Sequence, residues 1–238
     1  MSPEIISTTF NGSTSSPEES AQQIEAARYA VLRRLAPCLR HHMMRPLQPI
    51  GLIYGVMHHK LSAPQPDLQS VHDEADKIND FVKAALDECI DMNSWIAPEP
   101  GVMTEVDAGV THCVSLLATM LHFCGFHLNN EVEKIPERVQ RDVMRMVLNA
   151  ALLEMTDSLA VPCTVTISAA VGQDDVTLSL QVSQTREGSV ERYDDGYRNL
   201  VWRDVQALAA AGNVGVTRED GRVTLCFVTE PAVLVPIH

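Results

Sequence analysis

Apolar positions in the first part of the chain recur at helical spacing. Taking 100° per residue and Leu39 as origin, Leu32, Leu35, Leu39, Met43, Pro46, Ile50, Ile53, Met57 and Leu61 fall within about 40° of one line. The stripe predicts one long amphipathic helix over 21–61. Pro46 and Pro49 each remove a backbone donor, so the helix is expected to kink there. The segment Ser62-Ala63-Pro64-Gln65-Pro66-Asp67 reads as a turn, with Asp67 as the N-cap of a second helix. In that helix Leu68, Val71, Ala75, Ile78, Val82, Ala85, Cys89 and Met92 alternate in steps of three and four, an a/d seam. A hairpin of two such helices cannot bury its apolar surface on itself. The simplest solution is a four-helix bundle made by two chains.

Ala97-Pro98-Glu99-Pro100-Gly101 is a strong linker signal, and beyond it the pattern alternates. Helices are predicted over 107–124, 136–158 and 197–211, and a short strand over 127–132. Period-2 strands follow at 164–171 and 176–183, separated by Gly172-Gln173-Asp174-Asp175. A last pair, 214–218 and 222–228, flanks Glu219-Asp220-Gly221. The expected fold class is α+β: a dimerising helical hairpin over 21–96, then an α/β sandwich over 101–232. Residues 1–20, rich in Ser, Thr, Glu, Pro and Gly, read as a mobile tail.

Composition narrows the function. With 31 acidic against 18 basic residues the formal net charge is −13, which argues against nucleic acid as a partner. A hydrophobic share of 45% excludes a wholly disordered chain. No apolar run approaches the roughly 20 residues that span a bilayer, and residues 1–20 lack a signal-peptide pattern. Six cysteines lie far apart with no paired spacing, as expected of reduced thiols. A cytoplasmic protein with no membrane partner is expected. His112, Cys113, His122, Cys124 and His127 form a loose cluster, but Cys113 and Cys124 lie about three helical turns apart, too far for one metal. Core packing is the expected role there, as it is for Trp95 and Trp202, while His58-His59 suits a helix C-terminus.

The segment Leu39-Arg40-His41-His42-Met43-Met44-Arg45-Pro46-Leu47 carries the most chemistry. On the wheel His41 lies opposite the apolar stripe and should meet solvent, whereas His42 lies at its flank. Imidazole is largely neutral near pH 7 and is a competent phosphoryl acceptor. The chain here resembles the dimerisation and phosphotransfer domain of sensor histidine kinases, where an acceptor His precedes Pro-Leu by this spacing in the first helix of a dimeric hairpin. The second half resembles the ATP-binding domain that follows in those kinases, with Asn149 in Met146-Val147-Leu148-Asn149-Ala150-Ala151 as a remnant of the Asn that helps hold magnesium.

The departures from that family are specific. His42 replaces the acid beside the acceptor, and Arg45 stands before the proline. Neither glycine-rich nucleotide loop is present, and Glu187 to Gly196 occupies that territory without paired glycines. The pattern is similar to dimeric histidine phosphotransferases, which carry phosphate between receiver domains without a nucleotide. That resemblance implies His41 as phosphoacceptor, with Arg40 and Arg45 steering and neutralising, and His42 orienting its neighbour. It implies no cofactor on this chain, Mg2+ on the partner receiver domain, and a homodimer. Local charge agrees with it. From 21 to 61, Arg28, Arg33, Arg34, Arg40, Arg45 and Lys60 face only Glu25, a basic collar suited to an acidic receiver. The alternatives are a divergent ATP-dependent histidine kinase and a non-catalytic dimeric module that binds a response regulator.

Overall fold

A computed structural model describes residues 16–185, 188, 190 and 197–230. Three helices come first: α1 (Pro17–Met44), α2 (Gln48–Leu61) and α3 (Leu68–Ile96). The expected single helix is thus two, broken at Arg45-Pro46-Leu47, because Pro46 and Pro49 withhold two helical donors within one turn. Pro37, by contrast, is accommodated inside α1. The first helix also begins earlier than its apolar stripe. Ser16 and Glu19 form a capping box: the Ser16 hydroxyl accepts from the Glu19 amide at 3.2 Å, and the Glu19 carboxylate accepts from the Ser16 amide at 2.9 Å. Residues 16–20 therefore belong to helix and its cap, not to the expected tail, whose remainder lies outside the described residues.

The second half contains β1 (Met103–Glu105), α4 (Val106–Phe123), β2 (Phe126–Asn130), β3 (Arg138–Gln140), α5 (Arg141–Ser158), β4 (Cys163–Val171), β5 (Asp175–Thr185), α6 (Trp202–Ala211), β6 (Gly215–Glu219) and β7 (Arg222–Val228). Five strands form a mixed sheet in the order β2-β4-β5-β7-β6, parallel only at β2 and β4. Val176, Leu178 and Leu180 of β5 and Val223, Leu225 and Phe227 of β7 are buried in strict alternation, so α4, α5 and α6 cover one face. The Asp220-Gly221 loop closes the β6–β7 hairpin, with Gly221 at φ 70° as such a tight turn requires. Helix α5 starts five residues later than predicted, and α6 likewise. For α5 the reason is that Arg138–Gln140 pairs with Met103–Glu105 in a small antiparallel sheet.

The fold is a helical hairpin followed by an α/β sheet domain, and α1 belongs to both. Its first turns lie on α6 and α5 while its end faces α3 and α4. Ala27, Ala30, Val31 and Leu35 are fully buried in one cluster with the residues under the sheet. Two polar clamps fix this docking. Arg34 makes a paired contact with Asp157 at 2.6 and 2.9 Å. Gln23 donates to Asp204 at 3.0 Å, a carboxylate also held by Arg198 and the Val201 amide.

The seam of α3 splits into two rows. Val71, Ile78, Ala85 and Met92 are buried or half-buried, whereas Leu68, Ala75, Val82 and Cys89 are exposed. Of the helices described, α4 alone is long and apolar enough by composition to cross a bilayer. In this fold its Val106, Val110, Cys113 and Leu117 are core residues.

Candidate functional site

α1 ends at Met44, which puts His41 and His42 in its last turn. Neighbouring residues differ by about 100° around the axis, so the two rings leave on different sides. Their centroids are 6.3 Å apart and their planes meet at 76°. His41 is exposed, as its place opposite the stripe predicts. It lines a groove of about 450 Å³ between α1 and α4, whose other walls are Pro37, Cys38, Leu116, Thr119, Met120 and Phe123, together with the edge of His42. Among the described residues no carboxylate lines this groove. Cys38 Sγ sits 3.7 Å from Met120 Sδ, and burial pushes the Cys38 thiol up to about 11, so it stays protonated.

His42 is half-buried and lines a different cavity, a cleft of about 380 Å³ between α1, α3 and α4. Three carboxylates, Asp87, Glu88 and Asp91, share its wall with Arg45, His112 and Ser115. Arg45 is the C-cap residue of α1, and its guanidinium lies 3.7 Å from Glu88 while remaining 67% exposed. An exposed pair of this kind contributes at most about 1 kcal/mol, so the guanidinium is easily redirected. The sequence places Arg45 on His41's face; in the structure it reaches toward α3 and shares His42's cleft. Arg40 is exposed beside His41. Arg34 is not part of the basic collar, because it is buried against Asp157. Lys60 is likewise engaged, 2.8 Å from Glu74.

Asn149 is fully buried on α5. Its Nδ2 donates to the Arg145 carbonyl at 2.7 Å, and its amide adjoins the Cys113 thiol, which burial pushes up to about 12. It opens on neither cavity. Of the segment Glu187 to Gly196, the territory of the nucleotide lid in the kinase family, Glu187, Ser189 and residues 191–196 lie outside the described residues.

One cluster has no local sequence signal. Arg145 of α5, itself buried, donates to Asp91 and to Ser94 Oγ (2.8 Å) of α3, and its Nη2 lies 3.4 Å from His112 Nε2 of α4. Its guanidinium stacks 4.7 Å over the Trp95 ring, which in turn stacks on His112 at 5.8 Å. Burial, then the Arg145 charge, pushes the His112 pKa below its ordinary value, against a smaller upward pull from Asp91. Burial alone would raise the Asp91 carboxyl, but the Arg145 hydrogen bond and charge together hold it below its ordinary value. The cluster joins hairpin to sheet domain directly behind the His42 cleft. Among the described residues no group of three or more His, Cys, Asp or Glu side chains is placed to hold a metal ion.

No protein-family model matches this sequence, and no curated protein matches it either. Solved structures do. The chain is similar to the Acinetobacter baumannii histidine kinase AdeS, at 13% identity and a TM-score of 0.41 over 80% of this chain and 98% of that one. It is similar to the Erythrobacter litoralis EL346 blue-light activated histidine kinase at 13% identity and 0.41, covering 54% and 47%. It is also similar to a structure described as a bacterial phosphotransferase at 10% identity and 0.36, covering 90% and 98%. These are likenesses of chain course, and no residue's role is carried across from them.

Proposed function

We propose that this protein is a two-component phosphorelay histidine phosphotransferase, working as a homodimer, with His41 as the group that accepts and returns the phosphoryl. The observation that carries this reading is the contrast between the two adjacent histidines. A phosphoryl group adds up to two negative charges. His42 faces three carboxylates, where that charge would be repelled, whereas none lines the His41 groove among the described residues. His41 is also open to an incoming protein and rides on a helix held in place by the buried Ala27, Ala30, Val31 and Leu35 and by the clamps at Gln23 and Arg34.

In the reaction the P–O bond to a receiver's aspartate breaks as a neutral ring nitrogen of His41 bonds to phosphorus, and the carboxylate leaves with the electron pair. The reverse step delivers the group to a second receiver. Mg2+ belongs to the receiver in this scheme. The helix C-terminus itself disfavours added negative charge by about 0.3–1 kcal/mol. Arg40 and a redirected Arg45 offset it. His42, edge-on to His41, restricts the acceptor ring.

The exposed row of α3, with Val82, Leu86 and Ile90, and the exposed Leu52 and Val56 of α2 supply the surface for a second copy. The test is incubation with receiver domains encoded by the same genome and phosphorylated with acetyl phosphate. Label should pass to the wild type and to His42→Ala but not to His41→Ala. Labelling by ATP alone would make the protein a kinase instead. Absence of label from every receiver would leave a binding module.

A further inference from the structure

The backbone of Arg45 and its side chain point in different directions. Its amide donates to the His41 carbonyl at 3.0 Å, and the residue keeps helical angles, φ −55° and ψ −49°. Arg45 therefore stands one turn beyond His41 and about 40° from it around the axis, on the same face. Arg40 is about 100° away. Yet the guanidinium turns off that face toward Glu88 of α3, its one ion-pair partner among the described residues, at 3.7 Å. Of the other two carboxylates in that cleft, Asp91 is held by Arg145 and Asp87 is exposed. Glu88 is half-buried, and Arg45 is its one cation among the described residues.

We propose that Glu88 is a positioning residue for phosphoryl transfer: it competes with the phosphoryl group on His41 for the Arg45 guanidinium and so weakens the phosphorylated state. The inference rests on the reading of His41 given above. Before transfer, Arg45 and Glu88 neutralise each other. Once His41 carries a phosphoryl group of up to two negative charges, the guanidinium has two anions to choose between. Residues one turn apart on a helix are within reach of each other, and a phosphoryl offers three acceptor oxygens and the larger charge. The phosphoryl therefore takes the guanidinium. Releasing Glu88 costs little, because the pair is open to solvent. The net gain is still smaller than an unpaired arginine would give. Such a handicap suits a carrier, since an acceptor that holds its phosphoryl too tightly does not pass it to a second aspartate.

The competition is tested with wild type, Glu88→Gln, Arg45→Ala and the double variant. Glu88→Gln keeps the shape of the side chain and removes its charge. Each protein is labelled at His41 with phosphoramidate, whose P–N bond breaks as a P–N bond to His41 forms, ammonia leaving with the electron pair. Titration followed by phosphorus NMR then reads the proton affinity of the phosphoryl group, which a nearby guanidinium lowers by favouring the dianion. In Glu88→Gln we expect that affinity to fall about two- to fivefold, the range an exposed ion pair supplies. With acetyl-phosphate-charged receiver domains, the equilibrium should move toward His41 by a similar factor. In the Arg45→Ala background the same substitution should leave both readouts unchanged. An equal shift in that background would show that Glu88 acts on the phosphoryl by its charge alone, and would overturn the competition. So would an unchanged proton affinity in Glu88→Gln. Because phosphoramidate needs no receiver, the two readings fail separately: wild type that no receiver labels would overturn the phosphotransfer reading, while the titration judges Glu88. Phosphoramidate label on His42 in place of His41 would overturn both.

Discussion

The two ends of the first apolar stripe have the same periodicity and opposite fates. Toward the start, Leu35 is fully buried, Leu32 and Leu39 pack half-buried against the core of the sheet domain, and α1 lies on α6 and α5. Toward the end, Ile50, Ile53 and Met57 are only half-buried, Leu61 is exposed, and α2 contains no buried residue. The difference is what lies opposite. α1 has a sheet domain to dock on, whereas α2 has only α3, one helix against another. Two helices leave half of each apolar face in water, and the split seam of α3 records this directly. A regular stripe announces burial without saying which partner provides it.

The comparison breaks most severely at the clamp. Arg34→Ala leaves the half-buried Asp157 without its partner, so we expect a loss of about 1–3 kcal/mol in denaturant unfolding. An equal loss from Arg40→Ala, on the exposed face, would erase the distinction. Next comes the open end. The double variant Leu52→Glu/Leu86→Glu should weaken self-association by about a hundredfold or more. Light scattering would then show a mass falling from twice 26.2 kDa toward 26.2 kDa with helical signal retained. A wild type that is already monomeric at micromolar concentration would sink the dimer.

A pH dependence sharpens the comparison at the junction. His112 has a lowered pKa in the fold, so the unfolded chain binds the proton first. Its stabilising contribution is complete above about pH 6.5 and is lost as pH falls below that value, until the folded histidine protonates too. In His112→Gln the melting temperature should therefore fall less between pH 7.5 and 5 than in wild type. A steeper fall in the variant would contradict the junction's geometry. The smallest effect is expected at Arg45→Ala, about 1 kcal/mol or less in stability. Receiver transfer should slow modestly at physiological salt and more as ionic strength is lowered.

Much of this fold was legible in the sequence. The a/d seam, the Pro-rich linker and the Asp-Gly hairpin each announce themselves within a few residues, and α4, β4 and β7 begin and end within two residues of expectation. What escaped was of two kinds. Local signals were outvoted: Ser16-Pro17-Glu18-Glu19 is a helix-start signature inside a stretch whose composition reads as tail, and three-residue strands such as Met103–Glu105 are too short to show a period. The rest was non-local. Asp91, His112 and Arg145 come from three helices, and nothing in their spacing marks them as neighbours. Arg34 looked like one more cation on a basic face until its partner, 123 residues away, gave it another role. At the candidate site the exposure of His41 was legible from the wheel alone, whereas the acids facing His42 were not, because they belong to α3.

The length of that reach also governs how the chain can fold. Arg34 waits for Asp157, and Gln23 waits for Asp204, 181 residues later. During synthesis the opening helix is made first and is among the last to find its surroundings, since α6 must emerge before its docking face exists. Until then its apolar stripe stands in water, a substrate for chaperones and proteases rather than part of a structure. Any chain cut short before α6 should be cleared as a whole, its leading helix included. His41 is thereby displayed on a settled surface only by molecules that have been finished.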